Sequence, residues 1–267
     1  MAETGWLQAA AAGLGGGLTV KVLDIIYLEI RRRFERSGAA TQFVDEHLDP
    51  LLKSTDELVG KLHALGRDDF RALRHLDANT GPGVNTELDG TMYLFGRFWA
   101  QVEIIRREGL SVAIARDERG RRLQHFLDCL ESTRVRLIDR TAQRAIGETT
   151  LMASGSKLQA ISFIDFVRRA RDDPDAQRWL EPLRVIIVHG WHQTEKQRLL
   201  QFAVVLHSLI DTLDDKHVVT RERPAIPNKL SQQSWRDLNY RVFGRYLTFV
   251  KDRRKYVGPP RTGRPRR

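Results

Sequence analysis

Three observations predict an all-α fold, an irregular multi-helix bundle of about eight to ten helices. Apolar residues recur three and four apart through most of the chain. The breaks between these stretches carry Pro, Gly, Asn and Asp, the residues that cap helices and form turns. Only two short stretches, Ser111 to Ala115 and Val185 to Val188, have strand chemistry, and the flanks of the second read as helix.

The chain has 267 residues, enough to bury a sizeable core in one large helical domain or two small ones. Its 41% hydrophobic and 29% charged residues suit a folded protein and exclude a multi-span membrane protein. Cys129 is the sole cysteine, so no disulfide can close within the chain and no zinc site can rest on cysteine pairs.

Residues 1–36 form the first unit. Trp6 to Ile30 is apolar and is followed at once by Arg31, Arg32, Arg33 and Arg36. As a single membrane helix, with Trp6, Leu14, Leu18, Val22, Ile26 and Leu28 in the bilayer, it would span roughly 34 Å, the depth of a hydrocarbon core. Lys21 and Asp24 would each cost about 2.5–3.5 kcal/mol near the midplane, offset by pairing and snorkelling. The arginines would then anchor that end in the cytoplasm. A second reading is a packed helix, because Val20, Leu23, Tyr27, Ile30 and Phe34 form a stripe suited to a partner helix. Gly13 and Gly17 would let two copies approach closely, a route to a homo-oligomer. A cleaved signal peptide does not fit, since no basic residue precedes the apolar run.

Residues 37–256 read as the helical body. Asp49-Pro50 has the chemistry of a helix start, with Leu51, Leu52, Leu58, Val59, Leu62 and Leu65 following and Gly66 closing. Asp68 to Leu76 reads as a short further helix. Residues 77–90 (DANTGPGVNTELDG) have loop composition and form the best internal boundary. Helices are then expected over Thr91 to Glu108, Arg121 to Thr133 and Thr141 to Ala153, the last broken at Ser154-Gly155-Ser156. Ile161 to Arg171 carries apolar residues nearly all round, which predicts burial. Asp173-Pro174 opens a helix that Pro182 should kink or break. Thr194 with Gln197 has the capping-box spacing and opens the clearest amphipathic helix, running to about Leu213. Asp214 to Asn228 is a polar connection. Ser231 or Ser234 opens a last helix with Trp235, Leu238, Val242, Tyr246 and Phe249 on one side.

Candidate chemistry is sparse. His189 and His192 have chelating spacing, and His207 or Asp211 would complete a metal site; two ordinary histidines at a helix junction explain the pair better. Glu148 sits four residues from Arg144, the spacing of a surface ion pair rather than of a general acid. Ser154 to Lys157 lacks the spacing of a phosphate loop, and Gly13 to Gly17 follows no strand. No cofactor or metal frame is expected, and catalysis is not the favoured reading.

The charge distribution is the feature that stands out. Between Arg241 and Arg267 there are ten basic residues and one acid, Asp252, so +9 of the +10 net charge lies there. Residues 257–267 are expected to be a disordered basic tail. Lys251, Arg253, Arg254, Lys255, Arg261, Arg264, Arg266 and Arg267 form an anion-binding set. The leading expectation is a non-catalytic helical scaffold or regulatory protein, tethered at the cytoplasmic face of a membrane and binding an unknown protein partner, with anionic lipid as a further ligand. The alternatives are a soluble nucleic-acid-associated protein acting through the same basic segment, with Tyr256 to stack on a base, and a helical enzyme using His189, His192 and Glu148.

Overall fold

The computed structural model describes residues 44–77, 79–108, 117–154 and 157–259. The apolar segment Trp6 to Leu28, the arginines at 31–36, the stretch Ser111 to Ala115 and the arginines at 261, 264, 266 and 267 lie outside these residues. Among the described residues the chain is all-α, with 68% helix, 4% strand and nine helices. None of these helices is long and apolar enough to cross a membrane.

Helix α1 covers 44–67. Its buried face is Val44, Leu48, Leu51, Leu52, Leu58, Val59, Leu62 and Leu65, a helical stripe. The expected start at Asp49-Pro50 is not where the helix begins. Val44 and Leu48 continue the stripe ahead of the proline, and their burial outweighs the one backbone hydrogen bond Pro50 cannot donate. Gly66 is not a left-handed stop either. A Cβ there would lie 2.8 Å from Ile226 Cδ1 and 2.9 Å from Leu200 Cδ2, so its role is close packing. Instead of the expected helix over Asp68 to Leu76, the chain turns through left-handed Asp69 and Phe70 into a 3₁₀ turn, Arg71–Leu73. Phe70 is fully buried, and that burial offsets a backbone conformation costing about 1–2 kcal/mol.

Helix α2, Thr86–Glu108, starts five residues before the expected point. Asn85 Oδ1 accepts from the amides of Glu87 and Leu88, and the Asp89 carboxylate accepts from Gly83 N. α2 joins α1 through Lys61–Glu87 at 2.7 Å and Arg97–Glu57. Helix α3, Glu118–Glu131, is capped by Asp117, whose side chain accepts from Gly120 N. Arg106 ties α2 to α3 by pairing with Glu103 on its own helix and Glu131 on the next.

Helix α4, Arg140–Thr149, is capped by Asp139 and crosses α2 closely. A Cβ on Gly147 would stand 2.8 Å from the Trp99 carbonyl oxygen, so only glycine permits this approach. The helix stops short of Ala153. Strands β1, Leu151–Ser154, and β2, Lys157–Ala160, form an antiparallel hairpin pairing Leu151 with Ala160 and Ser154 with Lys157. Thr149 and Thr150 are β-branched, and Ile161 N donates to the Thr150 carbonyl, which turns the chain back.

Helix α5, Phe163–Asp172, is capped by Ser162. It buries only Phe166 and Ala170 and leaves Ile164 63% exposed, so the all-round burial expected here does not occur. Helix α6, Pro174–Val188, opens as expected on Asp173, which accepts from Asp175 N and Ala176 N. The helix runs on past Pro182, and Val185 to Val188 is helical.

Helix α7, Gln193–Leu213, is buried on nearly every side. His192, not Thr194, stands at its N-cap, and no side chain caps it. Gln197 is a clamp rather than half of a capping box: its Nε2 donates to the Lys229 carbonyl and its Oε1 accepts from Ser231 N. Helix α8, Gln232–Arg236, is capped by Ser231 and passes into a π-helical turn, Asp237–Val242, where Phe243 N donates to Leu238 O. That change of pitch ends the long helix expected to reach Phe249. Helix α9, Arg253–Val257, closes the described chain, capped by Asp252. The main core cluster runs from Val44 to Val257, with Cys129 inside it; burial pushes that thiol up to about 12.

Candidate functional site

The buried polar groups gather where α1, the end of α7, the 214–223 loop and α9 meet. His207 and Asp211 lie one helical turn apart on α7, with His207 Nε2 3.6 Å from Asp211 Oδ2. His63 comes from α1, its ring edge-on to His207 with centroids 5.1 Å apart. Both imidazoles are 2% exposed.

Asp214 folds the next segment back over this cluster. Its carboxylate accepts from the amides of Val218, Val219 and Thr220 and from the Thr220 hydroxyl. Burial pushes the Asp214 carboxyl up, but these hydrogen bonds outweigh it and leave the group below its ordinary range. The tight turn forces His217 to a φ of 52°. Its Nε2 then faces Asp211 Oδ1 at 3.5 Å, and its Nδ1 lies 3.2 Å from Thr220 Oγ1. The Thr220 hydroxyl donates to Asp214, so His217 Nδ1 must be the donor to Thr220. On the far side of the loop, Arg223 grips Asp56 of α1 with two hydrogen bonds, 2.7 and 2.9 Å.

Helix α9 closes the site. Lys255 Nζ donates to Asp211 Oδ2 at 2.6 Å and the Tyr256 hydroxyl donates to the same oxygen at 2.8 Å. The Tyr256 ring stands edge-on against His207 at 5.5 Å and stacks on Phe243 at 5.9 Å. Trp235 Nε1 donates to the Gly258 carbonyl and holds the end of α9. An open cleft of about 580 Å³ borders the cluster, lined among others by Asp211, His217, Phe249, Lys251, Lys255 and Tyr256.

Burial holds the His63 imidazolium form down, to a pKa of about 3, with the neighbouring His207, Arg67 and Arg223 adding to the effect. Burial likewise lowers His207, against the opposing pull of Asp211. Burial and the Asp211 carboxylate both raise the Tyr256 phenol, which stays protonated and donates. Among the described residues, the buried side-chain polar atoms with no hydrogen-bond partner are His63 Nδ1, His207 Nε2 and Asp211 Oδ1. All three belong to this one cluster.

Among the described residues no group of three His, Cys, Asp or Glu side chains is arranged to hold a metal ion. The cationic place beside Asp211 is taken by the Lys255 ammonium. The Thr220 hydroxyl beside His217 is committed as a donor to Asp214. What the arrangement does is bind one segment of the chain to another.

The other candidate residues fall elsewhere. His189 and His192 meet at the α6–α7 junction with ring centroids 5.3 Å apart, and His189 Nδ1 lies 2.8 Å from the Val185 carbonyl. Fifteen residues of helix, roughly 22 Å, separate them from His207. Glu148 pairs across to Arg107 of α2 at 2.7 Å rather than with Arg144, and both partners are about half exposed. Lys251, Arg253 and Arg254 are exposed, whereas Lys255 is engaged by Asp211. Sequence reasoning singled out His207 and Asp211 as accessories to His189 and read Asp211, Asp214 and Asp215 as a solvated turn, whereas Asp214 is buried; it missed His63 and His217 altogether. A sign was present in His207 and Asp211, four apart on the same helix within an apolar run. No protein-family model, curated protein or solved structure matches the chain.

Proposed function

We propose that the protein is a non-catalytic helical scaffold or regulatory module that works at an anionic surface, the cytoplasmic face of a membrane, through its basic C-terminal segment. The observation that carries this reading is the mounting of α9. Lys255 and Tyr256 are pinned to Asp211, and this fixes Lys251, Arg253 and Arg254 at an exposed position, next in sequence to the basic tail. A charged segment held on a rigid body loses less conformational freedom on binding than a free one. The reading is also supported by the contacts of Asp211, which engage α9 directly. The apolar segment Trp6 to Leu28 with its arginine flank supplies the tether in this reading.

Sedimentation with vesicles tests it. The full chain should bind vesicles of phosphatidylcholine containing phosphatidylserine more tightly than vesicles of phosphatidylcholine alone, and salt should remove the difference, because only the basic segment senses the anionic lipid. Replacing Arg253 and Arg254 by alanine removes about 1 kcal/mol each near an anionic surface, so affinity should fall about thirtyfold. Equal binding to neutral vesicles, or no change in the double variant, would overturn the reading. Steeply salt-dependent binding to duplex DNA without vesicle binding would replace it by the nucleic-acid alternative.

A further inference from the structure

We infer that Asp211 and His207 form a proton-operated clasp that holds α9 against the body at neutral pH and releases it on mild acidification. The clasp rests on the anionic-surface reading only for the ligand of the basic segment, which is bound best while α9 is held; its own basis is geometric.

One carboxylate oxygen, Asp211 Oδ2, holds both α9 side chains. It accepts from Lys255 and from Tyr256, and His207 Nε2 faces the same atom at 3.6 Å with no hydrogen bond of its own. A neutral His207 leaves that oxygen to α9. A protonated His207 sets a positive charge beside the Lys255 ammonium and competes with it for one acceptor.

The surroundings make the closed state hostile to the proton. His63 and Arg67 on α1, His217 and Arg223 in the loop, and Lys255 on α9 are all cations or potential cations around the two buried imidazoles. The opposing acid is Asp211, already shared; Asp56 is occupied by Arg223 and Asp214 by the 218–220 turn. The Tyr256 ring covers His207 from the α9 side, so lifting α9 wets His207 and restores its ordinary affinity for a proton. Opening and proton uptake are therefore one linked event.

The sign follows from that linkage. In the open state His207 returns to the ordinary value of 6.5, and in the closed state burial holds it lower. Acid therefore favours opening. Between pH 7.5 and 5.5 one such proton raises the open population by at most about tenfold. This window lies above the ordinary carboxylate range, so Asp and Glu do not contribute.

Hydrogen exchange on the full chain, followed by mass spectrometry and corrected for the intrinsic pH dependence of exchange, measures it. The amides of Lys255 and Gly258, which bond to Asp252 O and Arg254 O, report on α9. Their protection should fall from pH 7.5 to 5.5, by at most about tenfold. His207→Gln should flatten that fall while His189→Gln leaves it intact. A pH-independent protection in the unaltered chain, or an unchanged slope in His207→Gln, overturns the clasp. Should His207→Gln not fold, Tyr256→Phe decides: it removes one bond to Asp211, so protection should drop at both pH values with the slope kept, and undiminished protection at pH 7.5 overturns the proposal. Binding to phosphatidylserine vesicles, followed in parallel, separates the two readings. An acid-opened α9 without vesicle binding upholds the clasp and removes the anionic surface; vesicle binding with a pH-flat α9 does the reverse.

Discussion

At the residue scale, the chemistry of this protein concentrates on Asp211 and the groups that surround it. Tyr256→Phe keeps the ring packed on His207 and Phe243 but deletes a hydrogen bond to a carboxylate, worth about 1.5–3 kcal/mol. Urea denaturation should show a loss of that order with an unchanged m-value. The histidines set the pH dependence of global stability. His63 and His207 are buried neutral, so their folded values lie below the unfolded value of 6.5. The unfolded chain therefore binds protons that the folded chain refuses. This stabilisation is fully present above pH 6.5 and is lost as pH falls from 6.5 toward the folded value, about 3 for His63. The loss is at most about 1.4 kcal/mol per pH unit per histidine. Thermal unfolding between pH 7.5 and 5 should show the melting temperature falling with acid, and His63→Gln should reduce that slope.

At the element scale, single side chains and single missing side chains decide how helices meet. Gly147→Ala drives a methyl group to 2.8 Å from the Trp99 carbonyl oxygen, where the obstacle is backbone and cannot swing away. Separation of α2 and α4 should cost about 1–3 kcal/mol, read as a lower denaturation midpoint. The 214–223 loop hangs on Asp214 in the same way. Asp214→Ala strands the buried Thr220 amide and hydroxyl and frees the turn that carries His217. A stability loss of about 2–4 kcal/mol is expected, together with faster hydrogen exchange over 217–220. An effect below about 0.5 kcal/mol would show that the turn is held by something other than this carboxylate.

At the scale of the whole molecule, one core joins the elements on both sides of the 77–85 loop, from Val44 on α1 to Val257 on α9. The residues that anchor α9 are therefore part of the same cooperative body as the central helix α7. This gives the charge asymmetry its physical setting: a body close to neutral, with most of the net charge of +10 placed at one end of the chain. Removing residues 259–267 separates the two contributions, because Tyr256 and Val257 remain in the core and Gly258 keeps its bond to Trp235. That truncation should leave the melting temperature within about 1 °C while lowering affinity for anionic vesicles, and a large fall in melting temperature would show the tail to be structural.

How much of this was legible beforehand depended on the range of the physics involved. Local rules placed the Asp173-Pro174 start, the Ser231 cap and the long helix ending at Leu213, because a cap or an apolar stripe involves residues three or four apart. They failed at Pro50 and Gln197, which serve the extended core face and Lys229 with Ser231, and at Gly66 they gave the helix end to within a residue but not its packing against Ile226 and Leu200. The candidate site was hidden for the same reason. His63, Asp211, His217 and Tyr256 span nearly two hundred residues, and nothing in the local pattern around His63 separates a buried imidazole from a surface one. The amino-acid sequence by itself determined the helical class and the placing of positive charge at the C-terminal end, since periodicity and charge are properties of neighbouring residues. Only the tertiary structure decided which polar groups are buried together, because desolvation and the sharing of one carboxylate oxygen arise when distant helices pack.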